Sequence, residues 1–164
     1  MTNFVWFYGP TAVGKDTLIH SMAINLEHNL ITDLGLELPL VIHEEALRLR
    51  HEQRYDIADK LAQAARPRST ILIKAQGYDV ARLIPLDLKT QFPNDRHLVV
   101  YLDADPSVIR ERRIKRGQQP DTWDDVMDRK ENLGHAYALE AAGMDFVWLD
   151  NNGTNPIITK RPEL

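Results

Sequence analysis

The chain has 164 residues, 43% hydrophobic and 27% charged, with 20 Lys and Arg against 24 Asp and Glu for a formal net charge of −4. That length suits one domain with a full hydrophobic core, and the mild acidity excludes nucleic-acid binding by bulk charge, leaving only a local basic patch to do so. The absence of cysteines excludes disulfides and cysteine-based zinc sites, and no apolar run approaches the ~20 residues that span a bilayer.

The opening NFVWFYG carries no basic stretch or cleavage site, so no signal peptide is expected and a cytoplasmic location is. Residues 4–8 (FVWFY) form a short apolar run that reads as a strand buried on both faces, as in a parallel sheet. After Gly9, the apolar positions Leu18, Ile19, Met22, Ala23 and Leu26 recur at helical spacing and predict a helix over about 15–28. Residues 38–45 (LPLVIHEE) read as a second strand, and the following pattern is helical to Ala65, with Pro67 as its stop. A third strand is expected at 69–75, then a helix over 78–92 interrupted near Pro85. A fourth strand is expected at 97–103, followed by a helix with Asp105 as N-cap and Pro106 at its first position, ending at Gly117. Thr122 and Asp125 resemble a capping box opening the next helix, which ends near Gly143, and residues 145–150 (DFVWLD) read as a fifth strand. Strands alternating with helices predict an α/β fold in three layers around a mostly five-stranded parallel sheet, one domain over 1–164. Ligands of such sheets sit at the carboxyl ends of the strands.

The chain leaves its first strand at that end through Gly9-Pro10-Thr11-Ala12-Val13-Gly14-Lys15. Buried strand, glycine loop, lysine and amphipathic helix together make a phosphate-binding loop: backbone N–H groups and a helix N-terminus face the phosphates, and Lys15 supplies a mobile positive charge. The usual Ser or Thr after the lysine is replaced by Asp16, and Thr17 follows. A carboxylate beside a triphosphate needs an intervening cation, and Mg²⁺ accepts hard oxygen ligands, so Asp16 is the candidate metal ligand, with Thr17 reaching a phosphate. The bland alternative for Asp16 is a partner of the helix dipole.

The stretch FVWFYGPTAVGKDTLI resembles the start of the ribose 1,5-bisphosphate phosphokinases, relatives of guanylate kinase that share a Gly-Pro-(Ser/Thr)-x-x-Gly-Lys-Asp-(Ser/Thr) loop. The resemblance resumes at DADPSVIRERRIKRG, where Arg110, Arg112 and Arg116 match before Gly117. It continues at DDVMDRKEN, where Arg129 falls at the lid arginine, and at WLDNNGT, similar to a segment beside the adenine that would include Asn152 and Gly153. These segments cover about half of the chain. The resemblance implies a nucleoside monophosphate kinase-like P-loop NTPase fold, ATP and Mg²⁺ as cofactors, and a lid over about 110–130. Residues 30–95 show no matching acceptor-site pattern, and the last helix of those kinases is replaced by the tail NPIITKRPEL.

Residues 110–116 hold five basic positions in seven. Phosphoryl transfer rests on positioning and charge neutralisation, for which the arginine fork suits phosphate oxygens. Arg112 and Arg116 share a helix face and are the candidate catalytic arginines beside Lys15; the alternative is a solvated face. For a base, the end of the second strand offers Glu44 or Glu45, Glu44 being the named candidate, with Arg48, Arg50 and Arg54 to hold an anionic acceptor. A second metal-handling acid stays open between Asp103 and the Gln76/Asp79 region, with Lys74 where an acid is expected. Two functions follow. One is an ATP- and Mg²⁺-dependent phosphotransferase acting on a small-molecule acceptor, a nucleoside monophosphate or phosphorylated sugar. The other is a P-loop ATPase or nucleotide-binding regulatory module without kinase activity, its protein partner unspecified; a GTPase switch is disfavoured because no Asn/Thr-Lys-x-Asp element occurs.

Overall fold

The computed structural model describes residues 1–119, 121–153 and 155–163; Pro120 of the expected lid turn and Thr154 of the tail motif lie outside them. Among the described residues six strands form one sheet: β1 (Asn3–Tyr8), β2 (Leu40–Ile42), β3 (Thr70–Lys74), β4 (Arg96–Asp103), β5 (Asp145–Asp150) and β6 (Ile157–Thr159). Their order is β2-β3-β1-β4-β5-β6, with β1 to β5 parallel and β6 antiparallel to β5. The sheet thus has one strand more than expected. The tail adds β6 as an exposed edge, an arrangement its three residues IIT reach by pairing with β5 rather than by any burial signal of their own.

The apolar run of β1 is buried along its whole length. Phe4, Trp6 and Tyr8 pack on one face of the sheet and Val5 and Phe7 on the other, as the two-residue period of a strand requires. One face is covered by α4 (Ile57–Ala64), α5 (Gly77–Ala81), α6 (Ile84–Gln91) and α8 (Asp125–Ala141). The opposite face carries α1 (Lys15–Ala23), α2 (His28–Asp33) and α7 (Pro106–Lys115). Three layers result.

Several expected boundaries move for local reasons. Helix α1 stops at Ala23, because Asn25 turns to a positive φ of 63°, and Leu26 is exposed. The second strand is short because the His43 side chain accepts from the Ala46 N–H and starts α3 (Glu44–Arg48) there. The long helix expected to Ala65 breaks after α3 into a 3₁₀ turn at His51–Gln53 and then α4. At the break Arg54 turns inward and is fully buried. Pro85 lies in the first turn of α6, so the expected interruption is a clean break between α5 and α6. Asp124, not Thr122, caps α8, accepting from the Met127 N–H.

Candidate active site

Strand β1 lies between β3 and β4, and the chain crosses to opposite faces on either side of it, so its carboxyl end is the switch point where α/β sheets hold ligands. The loop from Gly9 to Gly14 starts there and leads into α1. Both glycines are required by space. A Cβ on Gly9 would lie 2.3 Å from the Leu102 carbonyl oxygen, and one on Gly14 would lie 2.7 Å from the Asn151 amide nitrogen. Gly14 is also left-handed, with φ 104°, a region other residues enter at a cost.

The loop is braced from behind. Arg112 donates to the carbonyls of Val13 (3.2 Å) and Asn151 (2.6 Å), and the Asn151 side chain donates to Val13 as well (2.7 Å). Lys15 donates to the carbonyls of Gly9 (2.6 Å) and Pro10 (3.1 Å), folded back over the loop. Burial and the neighbouring Lys74 ammonium push the Lys15 pKa down to about 8. Asp16 is exposed and sits 3.0 Å from Lys74, which stands at the end of β3. Thr17 is exposed one position on.

Three cavities run in a row along this loop. The first, about 440 Å³, touches Ala12, Gly14, Thr17, Arg112, Arg116 and Asn151. The second, about 180 Å³, is a narrow channel over Thr11 to Asp16, walled by Lys74, Gln76 and Arg116. The third, about 550 Å³, lies between the carboxyl end of β1, the β3–α5 turn and α8. Ala12, Gly14 and Arg116 are shared by the first two, and Thr11, Lys15 and Gln76 by the last two.

The loop residues Thr11 to Asp16 therefore line the channel, with Gly9 at the third cavity and Pro10 buried beneath. Arg112 and Arg116 are brought to the loop, Arg116 at the channel and Arg112 on backbone carbonyls behind it. Gly153 lines the first cavity, but Asn152 does not; its side chain accepts from the Asp105 N–H (2.6 Å). Glu44 is exposed on α3, 3.8 Å from Arg48, and lines none of these three cavities.

Arg54 is withdrawn from any acceptor. Its guanidinium meets Asp79 at 2.6 Å, with both side chains fully buried, and also donates to the carbonyls of Ala46 and Lys74. Asp79 is thereby committed too, and it accepts from the Gln76 N–H. Arg129 pairs with Asp103 at 2.8 Å, and Arg113 with Asp125 at 2.7 Å.

Sequence reading missed the third cavity's α8 wall: Asp128, Glu131, Asn132 and His135. Their spacing of three, one and three residues puts them on one helix face, while Leu133, Ala136 and Leu139 are buried. A polar stripe at that spacing, in a helix also carrying an apolar one, is the signal that could have found them.

No protein-family model and no curated protein matches the chain. Solved structures do. A gluconokinase from Sinorhizobium meliloti 1021 is 15% identical with a TM-score of 0.51, covering 91% of this chain and 82% of that one. A shikimate kinase from Bacteroides thetaiotaomicron is 16% identical with a TM-score of 0.50, covering 93% and 86%. A deoxyadenosine kinase from M. mycoides, with the products dCMP and dCDP bound, is 14% identical with a TM-score of 0.51, covering 92% and 91%. The fold is that of the P-loop kinases. At these identities the likeness carries the architecture, and the chemistry rests on the residues of this P-loop kinase fold itself.

Proposed function

We propose that this chain is an ATP-dependent phosphotransferase that moves the γ-phosphoryl group to a small-molecule acceptor, its 164 residues acting as one kinase domain with a lid over about 110–130. The observation that carries the reading is the row of three cavities: a nucleoside-sized one, a narrow cationic channel over the glycine loop, and a second small-molecule-sized one. A transferase must hold donor and acceptor at once with the moving group between them, and binding both in register supplies much of its rate advantage. A hydrolase needs only the first two.

In this reading the nucleoside lies in the first cavity beside Arg112, Asn151 and Gly153, and the phosphates lie in the channel. Lys15 and Arg116 neutralise charge on the transferring group. The narrower resemblance of the loop to ribose bisphosphate phosphokinases supports ATP as the donor. The Asp16 carboxylate, exposed and lining the channel, fits Mg²⁺, an ion often held by one or two carboxylates plus the nucleotide's own phosphates. Asp16 would hold it, with Thr17 reaching a phosphate, and it would supply positive charge to offset that of the phosphates. Lys74 would then exchange Asp16 for phosphate.

The expectation of a nucleoside monophosphate or phosphorylated sugar as acceptor draws on Arg48, Arg50 and Arg54, and the fold takes that support away. Arg54 is buried on Asp79, Arg48 pairs with Glu44, and none of the three lines the third cavity. A nucleotide-binding module without an acceptor is the second reading, favoured by Lys74 at a strand end where a second metal-handling acid was expected. The test is ATP turnover with Mg²⁺ against a panel of nucleosides, sugars and their phosphates, with Lys15→Ala as control. Acceptor-dependent turnover that vanishes in the variant supports the transferase; ATP binding with no acceptor-dependent turnover supports the module.

A further inference from the structure

The third cavity carries chemistry of its own. Its volume of about 550 Å³ falls within the ~300–1,000 Å³ of small-molecule sites. Among the described residues its acidic and basic lining is Lys15, Asp128 and Glu131, with no arginine. Lys15 is shared with the channel, where the transferring phosphate claims it. Arg82 lies nearby but is exposed, with its guanidinium 4.9 Å from the centre of the Tyr78 ring. A phosphorylated acceptor would bring two negative charges against the half-buried Asp128 and the exposed Glu131, with Lys15 already engaged by the transferring phosphate.

Other hydrogen-bonding residues of its lining include Gln76, Asn132, His135 and Tyr8. The Tyr8 hydroxyl is buried and, among the described residues, has no hydrogen-bond partner, although buried polar groups are almost always paired. It sits on β1 one residue before the glycine loop.

Asp128 is held at the seam between cavity and channel. One carboxylate oxygen accepts from the Thr11 N–H of the glycine loop (3.0 Å), and the other from the Asn132 amide (3.1 Å). Its charge is near enough to Lys15 to favour the ammonium.

We propose that the acceptor is an unphosphorylated, uncharged polyhydroxy compound of nucleoside or hexose size, and that Asp128 is the catalytic residue that receives its hydroxyl proton. This rests on the phosphotransferase reading. The acceptor oxygen bonds to the γ-phosphorus as the bond from that phosphorus to the β–γ bridging oxygen breaks. The electron pair leaves with ADP, and the hydroxyl proton passes to Asp128 and then to water. Glu131 acts by charge, excluding anionic acceptors.

The test compares matched pairs: nucleosides against their 5′-monophosphates and hexoses against their phosphates, scored as kcat/KM. The unphosphorylated member of the productive pair should lead by about 100-fold or more. Equal or greater use of the phosphorylated member overturns the acceptor class and leaves the phosphotransferase standing. ATP binding without turnover on any member overturns both. Two variants sharpen the result. Glu131→Arg, on an exposed position, should raise kcat/KM for phosphorylated members at least about tenfold, since a guanidinium binds phosphate well; no gain overturns the exclusion role. Asp128→Asn keeps the shape and should lower kcat about 10²-fold or more, flatten the acid limb of the kcat–pH profile, and leave the ATP Kd within about threefold. An unchanged kcat, or a loss seen only in ATP Kd, overturns the proton role.

Discussion

The two ends of the channel over the glycine loop differ in how they are built. The glycine loop is a short contiguous stretch, residues 9–17, braced by Arg112 and Asn151 through backbone carbonyls, and the cavity on its far side from α8 adds α7, Asn151, Gly153 and Pro156. That cavity's charged lining is mainly cationic: Arg112, Lys115 and Arg116 against Glu27. The acceptor side is assembled from the end of β1, the β3–α5 turn and one face of α8, and it brings two carboxylates against one shared lysine. A site for a polyphosphate can be carried by one motif, because backbone N–H groups do most of the binding. A site for a neutral molecule needs hydrogen-bonding groups converging from several elements, so it is scattered along the chain.

Changes can separate the two sides. Lys15 serves both, and Lys15→Ala should cost the most: a loss of acceptor-dependent turnover on the order of 10³–10⁵-fold, read by steady-state kinetics. A loss under about tenfold would remove Lys15 from the channel. Arg54→Ala should come next and strike under the acceptor wall. It removes the guanidinium partner of a fully buried Asp79 and should destabilise the fold by about 3–5 kcal/mol in urea unfolding. At temperatures where the variant stays folded, acceptor KM should rise more than ATP Kd, because α5 and the β3 end border only the acceptor side and the channel.

Lys74→Met should be milder, weakening ATP about tenfold while sparing acceptor KM, measured by titration calorimetry. If ATP binds as before, the Asp16–Lys74 pair is a surface contact and no part of the channel.

The smallest effect concerns protons. Burial and Lys74 hold Lys15 at a pKa of about 8 against an ordinary 10.5. Below pH 8 it is charged in both folded and unfolded chains, and its burial cost is fully present. Between pH 8 and 10.5 the unfolded chain binds the extra proton, so stability should rise with pH across that window. ATP favours the ammonium. Binding near pH 8.5–9 should therefore take up a fraction of a proton, seen as a heat that varies with the buffer's ionisation enthalpy, and the uptake should disappear in Lys15→Met.

Much of the architecture was legible because it is local. The unbroken apolar run of β1, Asp105 with Pro106 at the start of α7, and Gly143 (φ 116°) beyond α8 sit where the sequence puts them. The basic run 110–116 was legible only as a cluster. Which of its members turn inward depends on the rotation of α7 against the sheet: Arg113 is buried on Asp125, Arg112 braces the loop, and Arg116 reaches the channel. Arg54 looked like an acceptor ligand and is a buried strut, because Asp79, 25 residues on, meets it.

The sequence by itself determined the parallel α/β order and the glycine loop, since both follow from periodicity and from conformations few residues can adopt. Only the tertiary structure decided the acceptor side. Asp128 reaches the Thr11 N–H across 117 residues of chain, and no local preference encodes a distance of that kind. The charge left to line the cavity depends on which groups the packing has already paired, and that follows from contacts, not from composition.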